Sequence, residues 1–144
     1  MRRILAIDYG KRRLGIALSD PSATIAQPLR TLVRRPGKRA PIQAILELCR
    51  AHEVSAIVVG LPLTLAGEDS DWTREVRDFA ARLAERSALP VALVDERLSS
   101  VAAERAVRGI GLRRRAREQR ERVDASAAAL ILQSYLDQQP RDPL

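Results

Sequence analysis

The sequence predicts an α/β fold built on a five-stranded mixed sheet with helices on both faces. Three observations predict it. Two apolar runs, residues 3–9 and 13–19, flank a short glycine-containing turn and read as an antiparallel pair. Two later runs, residues 56–60 and 91–94, have no polar face, the pattern of buried parallel strands. Before and after those runs, apolar residues recur at helical spacing, so each parallel strand is reached by a right-handed crossover.

Taken in order, the first strand alternates so that Ile4, Ala6 and Asp8 share one face and Leu5, Ile7 and Tyr9 the other. Asp20-Pro21-Ser22 marks a turn, and residues 23–33 supply a third strand. Pro28 within it has no amide hydrogen to donate, which confines that strand to an edge or a bulge. Residues 34–39 form a basic loop. Pro41 suits the first turn of a helix with Ile42, Ile45, Leu46 and Cys49 on one stripe. After strand 56–60 and a loop over 61–67, Ser70 caps a second helix whose stripe is Trp72, Val76, Phe79, Ala80 and Leu83. The aromatic residues fall on that stripe and are read as core rather than as a base-stacking platform. Strand 91–94 ends in Asp95-Glu96-Arg97, and Ser99 or Ser100 caps a helix that stops at Gly109-Ile110-Gly111. A last helix is expected to begin near Val123, with Ala127, Leu130 and Ile131 on one side and a frayed tail from 138 to 144. Residues 1–137 are read as a single domain.

Composition narrows the function. Of 144 residues, 46% are hydrophobic and 30% charged, a globular balance, while aromatics at 3% leave the core to Ala, Val, Leu and Ile. One cysteine, Cys49, excludes an internal disulfide, and with a single histidine, His52, there is no Cys/His zinc pattern. No apolar run has the length of a membrane span or a signal peptide, so a cytoplasmic protein without membrane partners is expected. The net charge of +7 favours polyanionic partners.

The candidate chemistry lies at the carboxyl ends of the parallel strands, where open α/β sheets collect ligands. Asp8, the pair Asp95-Glu96 and Asp124 are the acidic groups available there. If the strand persisted, Asp95 and Glu96 would point to opposite faces, so one of them joins Asp8. Asp124 is placed in the first turn of the last helix, among small residues (Ala125, Ser126, Ala127, Ala128) that let it lie close on the sheet. Carboxylates without histidine or thiolate suit a hard cation, Mg²⁺ or Mn²⁺. The plainer alternatives are that Asp124 offsets a helix N-terminus and that Glu96-Arg97 is a surface ion pair.

Four segments carry a family resemblance. They are Asp8-Tyr9-Gly10-Lys11-Arg12-Arg13-Leu14-Gly15-Ile16-Ala17, Val59-Gly60-Leu61-Pro62-Leu63 with Gly67, Asp95-Glu96-Arg97-Leu98-Ser99-Ser100, and Val123-Asp124 followed by Ala127-Ala128 and residues 130–136. In this order, over nearly the whole chain, they resemble the motifs of the YqgF family of Holliday-junction-resolvase-like proteins and pre-16S rRNA nucleases. The resemblance implies an RNase H-like fold and a two-metal nuclease whose carboxylates are Asp8, Glu96 and Asp124, with Asp95 secondary. Ser100 stands where Thr is frequent in the family.

That reading implies structured RNA as substrate, with branched DNA as the alternative, and ribosomal precursor particles as partners of a monomer or weak homodimer. Lys11, Arg12, Arg13 and Arg97 flank the expected site and are assigned to phosphate contacts. Arg113, Arg114, Arg115 and Arg117 belong to a run with six arginines in the ten residues 113–122, assigned to a nucleic-acid backbone. Three other readings compete. An actin- or sugar-kinase-like ATPase shares the Asp-x-Gly after its first strand but needs two clasping subdomains. A non-catalytic RNA- or ribosome-binding module keeps the fold without metal-dependent cleavage. A junction resolvase needs a symmetric pair of sites.

Overall fold

The computed structural model describes residues 3–35, 39–64, 66–98 and 116–139, and in the last helix the side chains from 125 onward. Among the described residues, five strands and three α-helices follow one another as β1 (Arg3–Tyr9), β2 (Arg13–Ser19), β3 (Ala26–Val33), α1 (Ile42–Ala51), β4 (Val54–Leu61), α2 (Asp71–Ser87), β5 (Val91–Asp95) and α3 (Ala116–Gln138). The sheet order is β3-β2-β1-β4-β5. β1 pairs antiparallel with β2 and parallel with β4, and β4 pairs parallel with β5, so β1, β4 and β5 end on one side of the molecule as the pattern predicted.

Alternation in β1 sorts its side chains as expected. Leu5, Ile7 and Tyr9 join the core beneath α1 and α2, while Ile4 and Ala6 join the core beneath α3. Helices therefore cover both faces. On the first face, Phe79 and Leu83 of α2 and Ile45 of α1 are fully buried. Phe79 sits 4.4 Å from the Tyr9 ring, centroid to centroid. Trp72 packs at the rim of this core, half covered, with the Lys11 ammonium 5.6 Å above its ring. On the second face, Ala128, Ile131 and Leu132 of α3 are fully buried against Ala6 and Val58, and the alanines let the helix approach the sheet closely.

Local chemistry explains the boundaries. Ser70 accepts a hydrogen bond from the Thr73 amide and Thr73 answers through the Ser70 amide, a complete capping box at the start of α2. The β1–β2 turn closes through the Gly10 amide donating to the Arg13 carbonyl at 2.9 Å. A Cβ at Gly10 would lie 2.4 Å from that same oxygen, so only glycine fits. Pro28 lies on the edge strand β3, where the pairing slips between Ile16 and Ala17 and leaves Leu29 without an opposite residue. Both placements that its missing amide hydrogen allowed are realised.

The last helix differs from expectation. It begins at Ala116 rather than near Val123, so the second half of the arginine run is helical and Asp124 is in the third turn, not the first. Charged residues at high density are good helix formers, and the absence of Gly or Pro between 112 and 139 leaves nothing to delay the start. The helix N-terminus consequently gives no account of Asp124. The helix expected between Ser99 and Gly111 lies outside the described residues. Among the described residues, no helix is long and apolar enough to cross a membrane.

Candidate active site

Asp8 is the penultimate residue of β1 and only 5% exposed. Its strand alternation puts it on the α3 face with Ile4 and Ala6. The β1–β4 register pairs Ile7 with Val59, and one residue further on Asp8 lies beside Gly60. Gly60 in turn pairs with Val94 of β5, so the row from Asp8 through Gly60 leads directly to the end of the third parallel strand.

β5 stops at Asp95, and Glu96 opens a single 3₁₀ turn over Glu96–Leu98. The Asp95 carboxylate accepts the Arg97 amide at 2.9 Å, which caps that turn from within. It also grips the Arg97 guanidinium, with Nε at 3.0 and 3.1 Å and Nη2 at 2.6 Å. These bonds from Arg97 hold the Asp95 carboxyl below the usual carboxylate range. Asp95 is thereby engaged in fixing the turn. Glu96 is 9% exposed and reaches back over β4, its Oε1 only 2.8 Å from where a Cβ of Gly60 would stand. Ile131 of α3 meets the same point at 2.7 Å, which fixes the Glu96 carboxylate on the α3 side of the sheet.

Asp8 and Glu96 thus share one face. Neighbouring strands are about 4.8 Å apart, so a carboxylate resting over β4 is one strand removed from Asp8 on β1. Asp124 lies within α3, and its side chain is outside those described. Among the described residues no group of three acidic, histidine or cysteine side chains forms a complete metal cage. The two carboxylates on this face, Asp8 and Glu96, offer oxygen donors only, which fits a hard divalent cation better than zinc.

The basic residues divide. Lys11 and Arg12 are exposed at the tip of the β1–β2 turn, and Arg13 is partly buried as β2 begins. Arg97 lies on the opposite flank, its guanidinium packed over Gly67, whose φ of +81° is the conformation that glycine adopts without strain. Arg113, Arg114 and Arg115 lie outside the described residues, and Arg117 is in the first turn of α3. Behind the site, Arg34 stacks 5.2 Å from the Tyr9 ring centroid and approaches Glu75 at 3.8 Å. Burial pushes the Tyr9 phenol above its ordinary pKa, so it stays protonated.

Gly60 had no assigned role in the sequence. The signal was present, since a glycine inside a buried, β-branched strand marks a close approach by another group.

A family model for RuvX, Holliday junction resolvase, matches residues 2–138. The chain belongs to the RuvX family. Relatives bearing the name "Putative pre-16S rRNA nuclease" include one from Maridesulfovibrio salexigens, 44% identical over 134 residues (93% of this chain and 97% of the relative). Another, from Koribacter versatilis, is 45% identical over 140 residues, covering 97% of this chain and 90% of the relative. A third, from Anaeromyxobacter sp. strain K, is 46% identical over 135 residues, or 94% and 96% of the two chains. Among solved structures, T. thermophilus RuvC in complex with a Holliday junction substrate superposes with a TM-score of 0.58 at 18% identity, covering 95% of this chain and 96% of that one. That likeness establishes the RNase H-like architecture of this RuvX-family chain.

Proposed function

We propose that this chain is a metal-dependent endonuclease that hydrolyses phosphodiester bonds in structured RNA, processing the 5' end of pre-16S rRNA. The observation that carries the reading is that two buried carboxylates, Asp8 at the end of β1 and Glu96 over Gly60 of the neighbouring β4, lie on one face at the ends of parallel strands. Membership of RuvX and relatives named for pre-16S rRNA add the substrate class. Asp8, Glu96 and Asp124 hold Mg²⁺ or Mn²⁺ in this reading. A divalent cation supplies two things when bound, a water made acidic enough to attack at neutral pH and charge neutralisation at the phosphoryl oxygens.

The chain's own residues do the rest. Asp8 is fixed by a strand paired on both sides, so its carboxylate needs little reorganisation when substrate arrives. Glu96 is held by the capped turn. Lys11, Arg12, Arg13 and Arg97 attract and seat the phosphates, and the arginines of the 113–122 run extend that field along the backbone. None of these groups reads base edges, so selectivity rests on the shape of the RNA or on the ribosomal precursor that carries it.

The test pairs wild type with Asp8→Asn, which removes charge but almost no volume. A precursor rRNA leader and a four-way DNA junction are each incubated with Mg²⁺, Mn²⁺ or EDTA. The expected result is metal-dependent cutting of the leader, abolished in the variant while RNA binding persists. Symmetric cutting of the junction alone favours the resolvase reading that the family description suggests. Cutting undiminished in Asp8→Asn overturns the assignment of the site.

A further inference from the structure

We propose that Gly60 is a positioning residue, its absent side chain forming the space in which the Glu96 carboxylate rests above β4. The inference rests on the reading of Asp8 and Glu96 as one site and adds what sets the second carboxylate in place. Gly60 is buried inside a fully paired strand, with β1 on one side and β5 on the other. Its φ lies outside the left-handed region, so the backbone does not call for glycine there. Glycine in a strand interior forgoes packing and adds chain entropy to be lost on folding, which makes its presence costly.

Space is what the glycine provides. A Cβ at Gly60 would lie 2.8 Å from Glu96 Oε1, 3.3 Å from Glu96 Cγ and 2.7 Å from Ile131 Cδ1. Two separate elements converge on one missing methyl. The 3₁₀ turn after β5 brings Glu96, and α3 brings Ile131. With alanine in place, either α3 lifts or the carboxylate swings away from the Asp8 side of β4. The two shortest contacts, Ile131 Cδ1 and Glu96 Oε1, are with the ends of side chains that can rotate, so the fold tolerates the change while the carboxylate's position does not.

The experiment titrates Mn²⁺ calorimetrically into nucleic-acid-free protein and records thermal unfolding of the same samples. Gly60→Ala is expected to weaken Mn²⁺ by about tenfold or more, the size seen when a residue orienting a metal ligand is lost. Ile131→Val removes Cδ1, so G60A/I131V is expected to regain thermal stability without regaining affinity. In an E96Q background, G60A is expected to cause no further loss. Wild-type affinity in G60A, or affinity restored together with stability in G60A/I131V, overturns the proposal and makes Gly60 a packing residue only. If E96Q itself binds Mn²⁺ as well as wild type, the reading of the site fails and this inference with it. Weakened E96Q beside an intact G60A defeats the inference alone.

Discussion

Replacing Gln133 with Met isolates the contact that ties α3 to the edge of the sheet. The Gln133 amide oxygen accepts the Ala26 amide at 2.9 Å, and its nitrogen donates to the Thr24 carbonyl at 3.1 Å and to Asp137 at 2.9 Å. Because the Ala26 N–H can only donate, the orientation of the side-chain amide is determined by the network itself. Methionine matches glutamine in length and helix propensity, so the helix persists while the two backbone bonds to β3 and its turn are lost, together with the exposed bond to Asp137, which contributes little. At about 0.5–1.5 kcal/mol net per bond, the expected cost is roughly 1–3 kcal/mol. For a domain of this size that lowers Tm by about 2–4 °C per kcal/mol, a drop on the order of 5 °C. Urea unfolding should show the same loss as a midpoint lower by roughly 1 M with an unchanged slope. Hydrogen exchange localises it, since the Ala26 amide should lose protection selectively. Gln43→Met is the control, because Gln43 accepts an exposed bond from Arg86 at 3.2 Å, and its loss should change stability by less than about 0.5 kcal/mol. A Q133M protein as stable as Q43M, with Ala26 still protected, would refute the claim that this amide holds α3 to the sheet.

Two further predictions concern the opposite core and the β2–β3 turn. Phe79→Ala empties a fully buried site beneath Tyr9, and a loss of about 3–5 kcal/mol is expected in urea titration. A loss below about 1 kcal/mol would mean that the aromatic stack behind Asp8 contributes nothing to the fold. Asp20 accepts the amides of Thr24 and Ile25, each at 2.8 Å, and these bonds, Ile25's foremost, hold its carboxyl far below the usual range. A depressed folded pKa means stability that is present above the unfolded value near 3.9 and lost as pH falls through the folded one. Asp20→Ala should therefore unfold earlier than wild type at pH 7 and pH 5, with the gap closing only in strong acid. A gap that closes between pH 7 and pH 5 would show that another group titrates.

Some of this protein was already determined by the order of its residues. Alternation alone set Asp8 on the face of Ile4 and Ala6, because a strand has a period of two and a buried strand cannot slip by one. Helical spacing likewise put Phe79 and Leu83 in the core, and the missing amide hydrogen of Pro28 confined its strand to an edge. Each of these follows from a period or a covalent restriction that acts within a few residues. The choice between Asp95 and Glu96 had no such local solution. It depended on where β5 stops, and β5 stops where the Asp95 carboxylate captures the Arg97 amide and turns the chain. The place of Glu96 depended further on a glycine in another strand and an isoleucine in another helix, neither of them within thirty residues of it in sequence. The start of α3 moved position 124 from the first turn of a helix into the third, which removes the helix-end alternative for Asp124. Faces and periods are properties of a segment, whereas the meeting of two carboxylates is a property of three strands and a helix packed together, and only the tertiary structure decides it.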